Sequence, residues 1–208
     1  MKSGLFITFE GLEGSGKSTQ LGLLASKLKE ENLDILATRE PGGTRIGEQI
    51  RSITHNRENV DLTAVSEAYL MAASRAQHVR EIIRPAIQAG KIVLCDRFID
   101  SSLAYQGYGR QLGEVAILEL NHMALDGLTP DFTFFLDVAV ETGMKRRNGN
   151  AKIDRLDLQQ KDFYIRVNAG YQELVRKYPE RIIVVDANGS IEDTANSVYR
   201  IFKEKKSR

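Results

Sequence analysis

The sequence predicts an α/β fold in which helices cover both faces of a five-stranded parallel β-sheet. Short apolar runs alternate along the chain with longer segments of helical periodicity. The apolar residues within the short runs are consecutive, as expected for strands that are buried on both faces. The chain has 208 residues, of which 42% are hydrophobic and 27% charged, the composition of a globular protein. We therefore expect one domain over residues 1–208, with a small mobile lid at about 145–156.

The individual elements follow from the same periodicity. Strands are predicted at residues 5–9, 34–38, 91–95, 132–136 and 182–185. Helices are predicted at residues 21–29, 62–89 (bent near Pro85), 114–126, 157–178 and 191–203. Residues 39–47 and 145–155 fit neither pattern and are interpreted as loops, which in α/β folds often contact substrates.

The net charge and the cysteine content indicate which binding partners and which cellular compartment to expect. The 29 basic and 28 acidic residues leave a net charge of +1, which argues against broad binding to nucleic acid or to anionic membranes. No apolar run approaches the roughly 20 residues that span a bilayer, and the first residues do not resemble a signal peptide. The single cysteine, Cys95, excludes an internal disulfide framework and is typical of a reducing compartment. We expect a cytoplasmic protein without membrane or nucleic-acid partners.

A phosphate-binding loop follows the first predicted strand. The segment matches G-x-x-x-x-G-K-[ST] in full, and a helical pattern follows it. In such a loop the backbone N–H groups surround a phosphate, the lysine reaches the β- and γ-phosphates, and the hydroxyl binds Mg²⁺. The motif predicts a fold of the P-loop NTPase type and an ATP site formed by Gly11, Leu12, Glu13, Gly14, Ser15, Gly16, Lys17, Ser18 and Thr19.

Two further features favour small-molecule phosphoryl transfer. The sequence contains no Asn-Lys-x-Asp guanine motif, which argues against a GTPase. The third strand ends in Asp96, and Arg97 follows directly, where a cation can contact a second phosphate. An ATPase motor is disfavoured by the short chain and by this arginine.

Four clusters are candidates for the acceptor side: residues 38–44, the helix arginines Arg51 and Arg75, residues 95–107, and the basic segment 145–155. On pattern alone each also has a structural interpretation. The first could be a rigid Pro-Gly turn, the arginines could be ion-paired on the surface, and the basic segment could be a solvated run of charge.

Taken together and in order, these motifs resemble thymidylate kinases. The resemblance rests on the phosphate loop with Glu13, on Arg39-Glu40-Pro41-Gly42-Gly43-Thr44, on Asp96-Arg97-Phe98, on Ser101-Ser102-Leu103-Ala104-Tyr105-Gln106-Gly107, and on Leu136-Asp137-Val138 followed by Asp154-Arg155. It extends from about residue 6 to 185. It implies a nucleoside monophosphate kinase domain that transfers the γ-phosphate of ATP to dTMP with Mg²⁺, and it implies a homodimer.

The resemblance also implies residue roles. Asp96 joins Ser18 at the metal, Arg97 and Arg51 bind the dTMP phosphate, and Arg75 and Gln106 face the thymine. Tyr105 lies against the deoxyribose, Glu13 approaches the sugar or the metal, and Met71 stands where relatives often have a phenylalanine. The implied substrate-binding set is Glu13, Glu40, Arg51, Met71, Arg75, Arg97, Ser101, Tyr105 and Gln106.

The catalytic cations are expected from the lid, because the phosphate loop contains no arginine, as in the bacterial members of the family. Arg155 is the first candidate, followed by Arg147 and Lys152, beside Lys17 and Arg97; Arg146 is expected at the ATP. Two other functions stay open: a kinase for another small monophosphate, and a nucleotide-binding module without activity.

Overall fold

The sheet has five parallel strands in the order β2-β3-β1-β4-β5. It is seen in a computed structural model that describes residues 4–148, 155 and 159–206. The predicted five-stranded α/β fold of the P-loop NTPase type is confirmed. The strands are β1 (Leu5–Glu10), β2 (Ile35–Arg39), β3 (Ile92–Asp96), β4 (Phe132–Asp137) and β5 (Ile182–Asp186).

Helices pack on both faces of this sheet, because successive strand residues point to opposite sides. Phe6 and Phe135 belong to one core cluster, whereas Ile7 and Phe134 belong to the other. The helices are α1 (Lys17–Glu30), α2 (Arg45–His55), α3 (Ala64–His78), α4 (Arg84–Gln88), α5 (Ile99–Ser102), α6 (Glu114–Leu125), α7 (Val140–Asn148), α8 (Lys161–Lys177) and α9 (Ile191–Lys206).

The segment predicted as one helix over residues 62–89 is divided. Thr63 caps the start of α3 by accepting a hydrogen bond from the Ser66 N–H at 3.2 Å. Val79–Ile83 is π-helical and leads into α4. Pro85 lies just beyond the wide turn, and because it lacks an N–H group it disrupts the regular hydrogen-bond ladder there. The expected bend near Pro85 thus takes the form of a π-helical turn.

Two other expectations need correction. The basic segment 145–155 was predicted as a loop, but residues 145–148 form the last turn of α7. Its three cations suit that position, since the C-terminal end of a helix carries partial negative charge. Residues 99–109, given no element by the sequence, form α5 and a π-helical segment, Leu103–Gly109. Of the predicted lid, residues 149–154 and 156 lie outside the described part of the chain.

Among the described residues, the structure contains no helix that is both long enough and apolar enough to cross a membrane.

Candidate active site

A cavity of about 400 Å³ opens at the carboxyl ends of the strands. Ligands of open α/β sheets bind at this edge, because the loops that leave parallel strands meet there. The loops after β1, β2 and β3 line the cavity together with helices α2 and α3. Its size is that of a small-molecule site.

The phosphate loop between β1 and α1 has the backbone that its glycines permit. Gly16 has φ +91°, and a Cβ atom on Gly11 would lie 2.7 Å from the Leu136 carbonyl oxygen. The Ser15 hydroxyl is buried without a hydrogen-bond partner in the described part of the chain. A buried unpaired hydroxyl fits a loop whose polar groups are arranged for an anion.

Lys17 is buried at the first position of α1, where its ammonium donates to the Leu12 carbonyl oxygen at 2.8 Å. Burial, and next the positive charge of Arg97, lower the pKa of Lys17 to about 8. A bound phosphate would offset both effects by supplying negative charge. The side chain is therefore poised to gain its favourable interactions from an anionic ligand.

Ser18 and Asp96 lie beside the phosphate loop, and the serine hydroxyl donates a hydrogen bond to the carboxylate. Both residues line the cavity and offer the oxygen ligands that Mg²⁺ prefers. No group of three or more His, Cys, Asp or Glu side chains that could hold a metal occurs within the described residues. This donor set fits Mg²⁺, because that ion commonly binds one or two carboxylates and completes its coordination with phosphates and water.

Arg97 lines the cavity and has a left-handed backbone, φ +72°. Its guanidinium donates to Glu13 at 2.6 Å, to Ser101 at 3.0 Å and to the Tyr105 hydroxyl at 3.2 Å. Burial would raise the pKa of Glu13, but the positive charges of Arg97 and, next, Lys17 outweigh burial and lower the pKa to about 2. Glu13 is thus the anion paired with Arg97, and Arg97 links the phosphate loop to Ser101 in α5 and to Tyr105.

Glu10 lies beneath Arg97 as a fully buried carboxylate at the end of β1. It accepts hydrogen bonds from the Phe98 N–H at 2.7 Å, from the Ser101 hydroxyl at 2.5 Å and from the Tyr171 hydroxyl at 2.9 Å. Burial, with the nearby charge of Asp100, raises the pKa of Glu10 to about 7. These bonds hold the turn after Arg97 and helix α5, which carries Ser101, against the sheet.

Arg75 is held from three sides on α3. It donates to the Glu40 carboxylate at 2.8 Å, to the Asn121 side-chain oxygen at 2.5 Å and to the Phe98 carbonyl oxygen at 2.9 Å. Arg75 lines the cavity although only 2% of the residue is exposed. A guanidinium has five N–H groups, so donors remain for a ligand after these three bonds.

Gln106 lines the cavity and belongs to a second buried network. Its amide nitrogen donates to Glu67 at 2.7 Å, and Arg110 donates to the same carboxylate at 3.0 Å. Arg155 completes the group through an ion pair with Glu67. Glu67 was not singled out in the sequence, although it lies one helical turn before Met71 and two turns before Arg75, on the face of α3 that carries both.

Comparison with known proteins shows the family of the chain. The sequence profile named "Thymidylate kinase" matches residues 9–198. The chain belongs to the thymidylate kinase family. A thymidylate kinase of Exiguobacterium sp. is 51% identical over 190 residues, which cover 91% of this chain and 90% of the relative. One from Clostridium novyi is 46% identical over 205 residues, which cover 98% and 100%.

The fold is shared with a solved member of the thymidylate kinase family. The crystal structure of thymidylate kinase from Ehrlichia chaffeensis superposes with a TM-score of 0.79 at 36% identity and covers 97% of this chain and 99% of that one. The predicted family and fold are therefore confirmed.

Most of the site residues expected from the family resemblance come together at this cavity. Among the described residues that line it, the predicted ones are Glu13, Gly14, Gly16, Lys17, Ser18, Thr19, Glu40, Arg51, Met71, Arg75, Asp96, Arg97, Ser101, Tyr105, Gln106 and Arg147. Gly11, Leu12 and Ser15 are buried in the phosphate loop behind this surface. His55, interpreted from the sequence as a packing or surface residue, also lines the cavity.

The predicted lid cations are placed differently from one another. Arg147 lines the cavity. Arg146 instead donates to the carbonyl oxygens of Ala187 at 2.8 Å and Asn188 at 3.2 Å, after β5. Arg155, expected over the ATP phosphates, is 3% exposed, pairs with Glu67 and is not among the described residues that line the cavity. Lys152 lies outside the described residues.

Proposed function

We propose that this protein transfers the γ-phosphate of ATP to dTMP, giving dTDP and ADP for dTTP biosynthesis. The observation that carries the proposal is one cavity that connects the phosphate loop, through Arg97, to a pocket lined by Arg75 and Gln106. A donor phosphate and an acceptor nucleotide would meet there. Membership of the thymidylate kinase family supports this choice of substrates.

The donor side would be formed by the phosphate loop, with Lys17 on the β- and γ-phosphates and Arg146 at the ATP. Ser18 and Asp96 would hold Mg²⁺. When bound, the metal would neutralise charge on the phosphates.

The acceptor phosphate would bind Arg97 and Arg51. Arg51 donates to the Pro41 carbonyl oxygen at 3.1 Å, which ties α2 to the loop after β2 at the cavity wall. Arg97 would exchange Glu13 for a phosphate, leaving that carboxylate to approach the sugar hydroxyl. Bidentate contacts of this kind are the usual way in which arginine binds phosphate.

The base would be read by Arg75 and Gln106. Arg75 can only donate, so it would donate to the O4 carbonyl of thymine and would not bind the 4-amino group of cytosine, which is itself a donor. Met71 lines the same cavity and can pack its thioether against the ring. Tyr105 would lie against the deoxyribose, and Glu40 and Ser101 would support the pocket.

Catalysis would come from positioning and charge rather than from a protein base, because the acceptor oxygen of dTMP is already anionic. The proposed catalytic cations are Lys17, Arg97 and Arg147, with Lys152, which lies outside the described residues; Arg155, the first candidate from the family resemblance, is held by Glu67. Arg147 is already at the cavity, whereas Arg155 would have to leave Glu67. Charge over the transferred group is most effective where water is excluded.

The test is ADP release with ATP and Mg²⁺ over a panel of dTMP, dUMP, dCMP, dGMP and AMP. We expect the highest kcat/KM with dTMP, weaker activity with dUMP, and little with dCMP. Preference for another monophosphate would favour a different small-molecule kinase, and no turnover with any would favour a nucleotide-binding module.

We also propose a homodimer, without a nucleic-acid partner, in the cytoplasm, where ATP is available. Support for a second copy comes from large apolar side chains exposed on two helices that pack together, α3 with Val65 and Tyr69, and α6 with Val115 and Met123. Light scattering after gel filtration is expected to give twice the chain mass of 23.3 kDa. A monomer that loses no activity on dilution would contradict the dimer.

A further inference from the structure

Glu67 on α3 is a completely buried carboxylate that three donors share. Gln106, at 2.7 Å, and the Nε of Arg110, at 3.3 Å, donate to one oxygen, while a terminal nitrogen of Arg110, at 3.0 Å, and Arg155 donate to the other. Burial would raise the pKa of Glu67, but Arg110, and next the hydrogen bond from Arg155, lower it overall. The side chain is thus ionised at neutral pH and can only accept hydrogen bonds.

Glu67 is fixed in place by its two arginines. Arg155 also donates to the Thr54 carbonyl oxygen at 2.9 Å, and Arg110 donates to Gln159 at 2.7 Å while lying over the Phe163 ring. Both guanidiniums are therefore held by further contacts. The carboxylate between them has a single arrangement that keeps one oxygen directed at Gln106.

An ionised carboxylate determines how the neighbouring amide is turned. The Gln106 amide has a donating nitrogen end and an accepting oxygen end, and only the nitrogen can face Glu67. The oxygen end then points away from Glu67, on a residue that lines the cavity. Thymine and uracil carry an N3–H donor, whereas N3 of cytosine is an acceptor.

We propose that Glu67 is a positioning residue for base selectivity: it holds Gln106 with its carbonyl oxygen toward the cavity, where that oxygen accepts the N3–H of thymine and repels N3 of cytosine. This rests on the proposed function, in which Gln106 faces the base. Glu67 itself touches no substrate, since it is fully buried.

The test is Glu67→Gln, with kcat/KM measured for dTMP, dUMP and dCMP. The oxygen of the introduced amide will stay on the side where the terminal nitrogen of Arg110 and Arg155 both donate closely, whereas Arg110 Nε makes only a 3.3 Å contact on the other side. The NH₂ group will then face Gln106 and turn that amide around. We expect the dTMP-to-dCMP ratio of kcat/KM to fall by about tenfold, the effect of one hydrogen bond to a buried polar group. The dTMP-to-dUMP ratio should not change, because both bases present N3–H.

Two comparisons separate positioning from general support of the fold. Glu30→Gln, at an exposed site on α1, should leave both ratios unchanged. In a Gln106→Leu background, Glu67→Gln should no longer alter the dTMP-to-dCMP ratio, because there is no amide left to orient. An equal loss with all three nucleotides, or the same fall in the ratio without Gln106, would overturn the proposal.

If Glu67→Gln does not fold, a second variant, Glu67→Asp, tests the same proposal. Glu67→Asp keeps the charge between the two arginines but draws the carboxylate away from Gln106, so the dTMP-to-dCMP ratio should again fall, and an unchanged ratio would overturn the proposal. The unmodified protein is assayed alongside. If it shows no preference for dTMP over dCMP, the proposed substrate fails, whatever Glu67 does.

Discussion

At the level of single residues, Lys17 is placed for binding phosphate and not for stabilising the fold. Its ammonium is buried and donates a hydrogen bond to the Leu12 carbonyl oxygen. It also lies near the positive charge of Arg97, which is unfavourable. Such a side chain contributes little to stability, because burying its charge is unfavourable. Its arrangement is explained by the phosphates it would bind.

Lys17→Ala is expected to lower kcat by at least about a hundredfold, the usual effect of removing a group that stabilises transition-state charge. The melting temperature should not fall, since an unfavourable buried charge is removed. Steady-state ADP release and thermal unfolding measure both quantities. Lys29→Ala, at an exposed position of the same helix, is the control. Near-normal turnover in the Lys17 variant would contradict the assignment.

The binding of ATP should weaken above pH 8. The Lys17 pKa of about 8 belongs to the protein without ligand, so the side chain is charged below pH 8 and increasingly neutral above it. Bound phosphates favour the charged form, so above pH 8 binding must take up a proton. The Kd for a non-hydrolysable ATP analogue should then rise by about tenfold per pH unit between pH 8 and 10.

Calorimetric titrations with Mg²⁺ at pH 7, 8, 9 and 10 would show this dependence. Lys17→Ala removes the titrating group, so its weaker Kd should vary much less over the same interval. If the intact protein and the variant had parallel profiles, another group would be responsible.

At the scale of elements, the end of α7 and the predicted lid carry different cations to different places. Arg147, on the last turn of α7, lines the cavity, while Arg155 is buried against α3 through Glu67. The sequence grouped both in one basic loop. The two arginines differ because Arg147 belongs to α7, whose regular backbone fixes the direction of its side chain, whereas Arg155 lies beyond the end of that helix.

Arg147 and Arg155 should therefore respond differently to substitution by alanine. Arg147→Ala is expected to lower kcat by about a hundredfold with little change in stability. Arg155→Ala should lower the free energy of unfolding by about 1–3 kcal/mol, because Glu67 loses one of its buried donors. Urea unfolding and steady-state kinetics of both variants measure these effects.

A catalytic role for Arg155 would give a different result. A large loss of kcat with unchanged stability and unchanged KM for dTMP would mean that Arg155 leaves Glu67 and acts on the phosphates, as the family resemblance implied.

At the scale of the whole molecule, the sheet holds the site because its central strands are buried on both faces. Phe134 in β4 is completely buried, and its ring centroid lies 5.1 Å from that of Phe9 in β1, the strand that leads into the phosphate loop. Contacts of this kind position the loop relative to the rest of the site.

Phe134→Ala is expected to lower the free energy of unfolding by about 3–5 kcal/mol, since a cavity replaces a large side chain in a packed core. Urea denaturation followed by circular dichroism measures the change. Val184→Ala on β5, where the valine is 45% exposed, should lower it by less than about 1 kcal/mol. Equal effects of the two substitutions would show that the sheet core does not dominate stability.

The five strands, the phosphate loop, the family and most residues of the cavity can be predicted from the sequence. These features have local signals: apolar runs, the spacing of glycines around Lys17, and short motifs such as residues 40–44 and 105–107. Each can be recognised within a few residues, without knowing what the rest of the chain does.

Which buried polar groups pair with each other could not be predicted from the sequence. Glu67 binds Gln106, 39 residues away, and Arg155, 88 residues away, and Glu10 binds Tyr171 at a separation of 161. Periodicity marks the buried face of α3 but gives no sign of which distant donor will compensate the charge of Glu67. Partners so far apart in sequence are brought together by the packing of the helices on the sheet, because a buried charge must find hydrogen-bond partners wherever the fold places them.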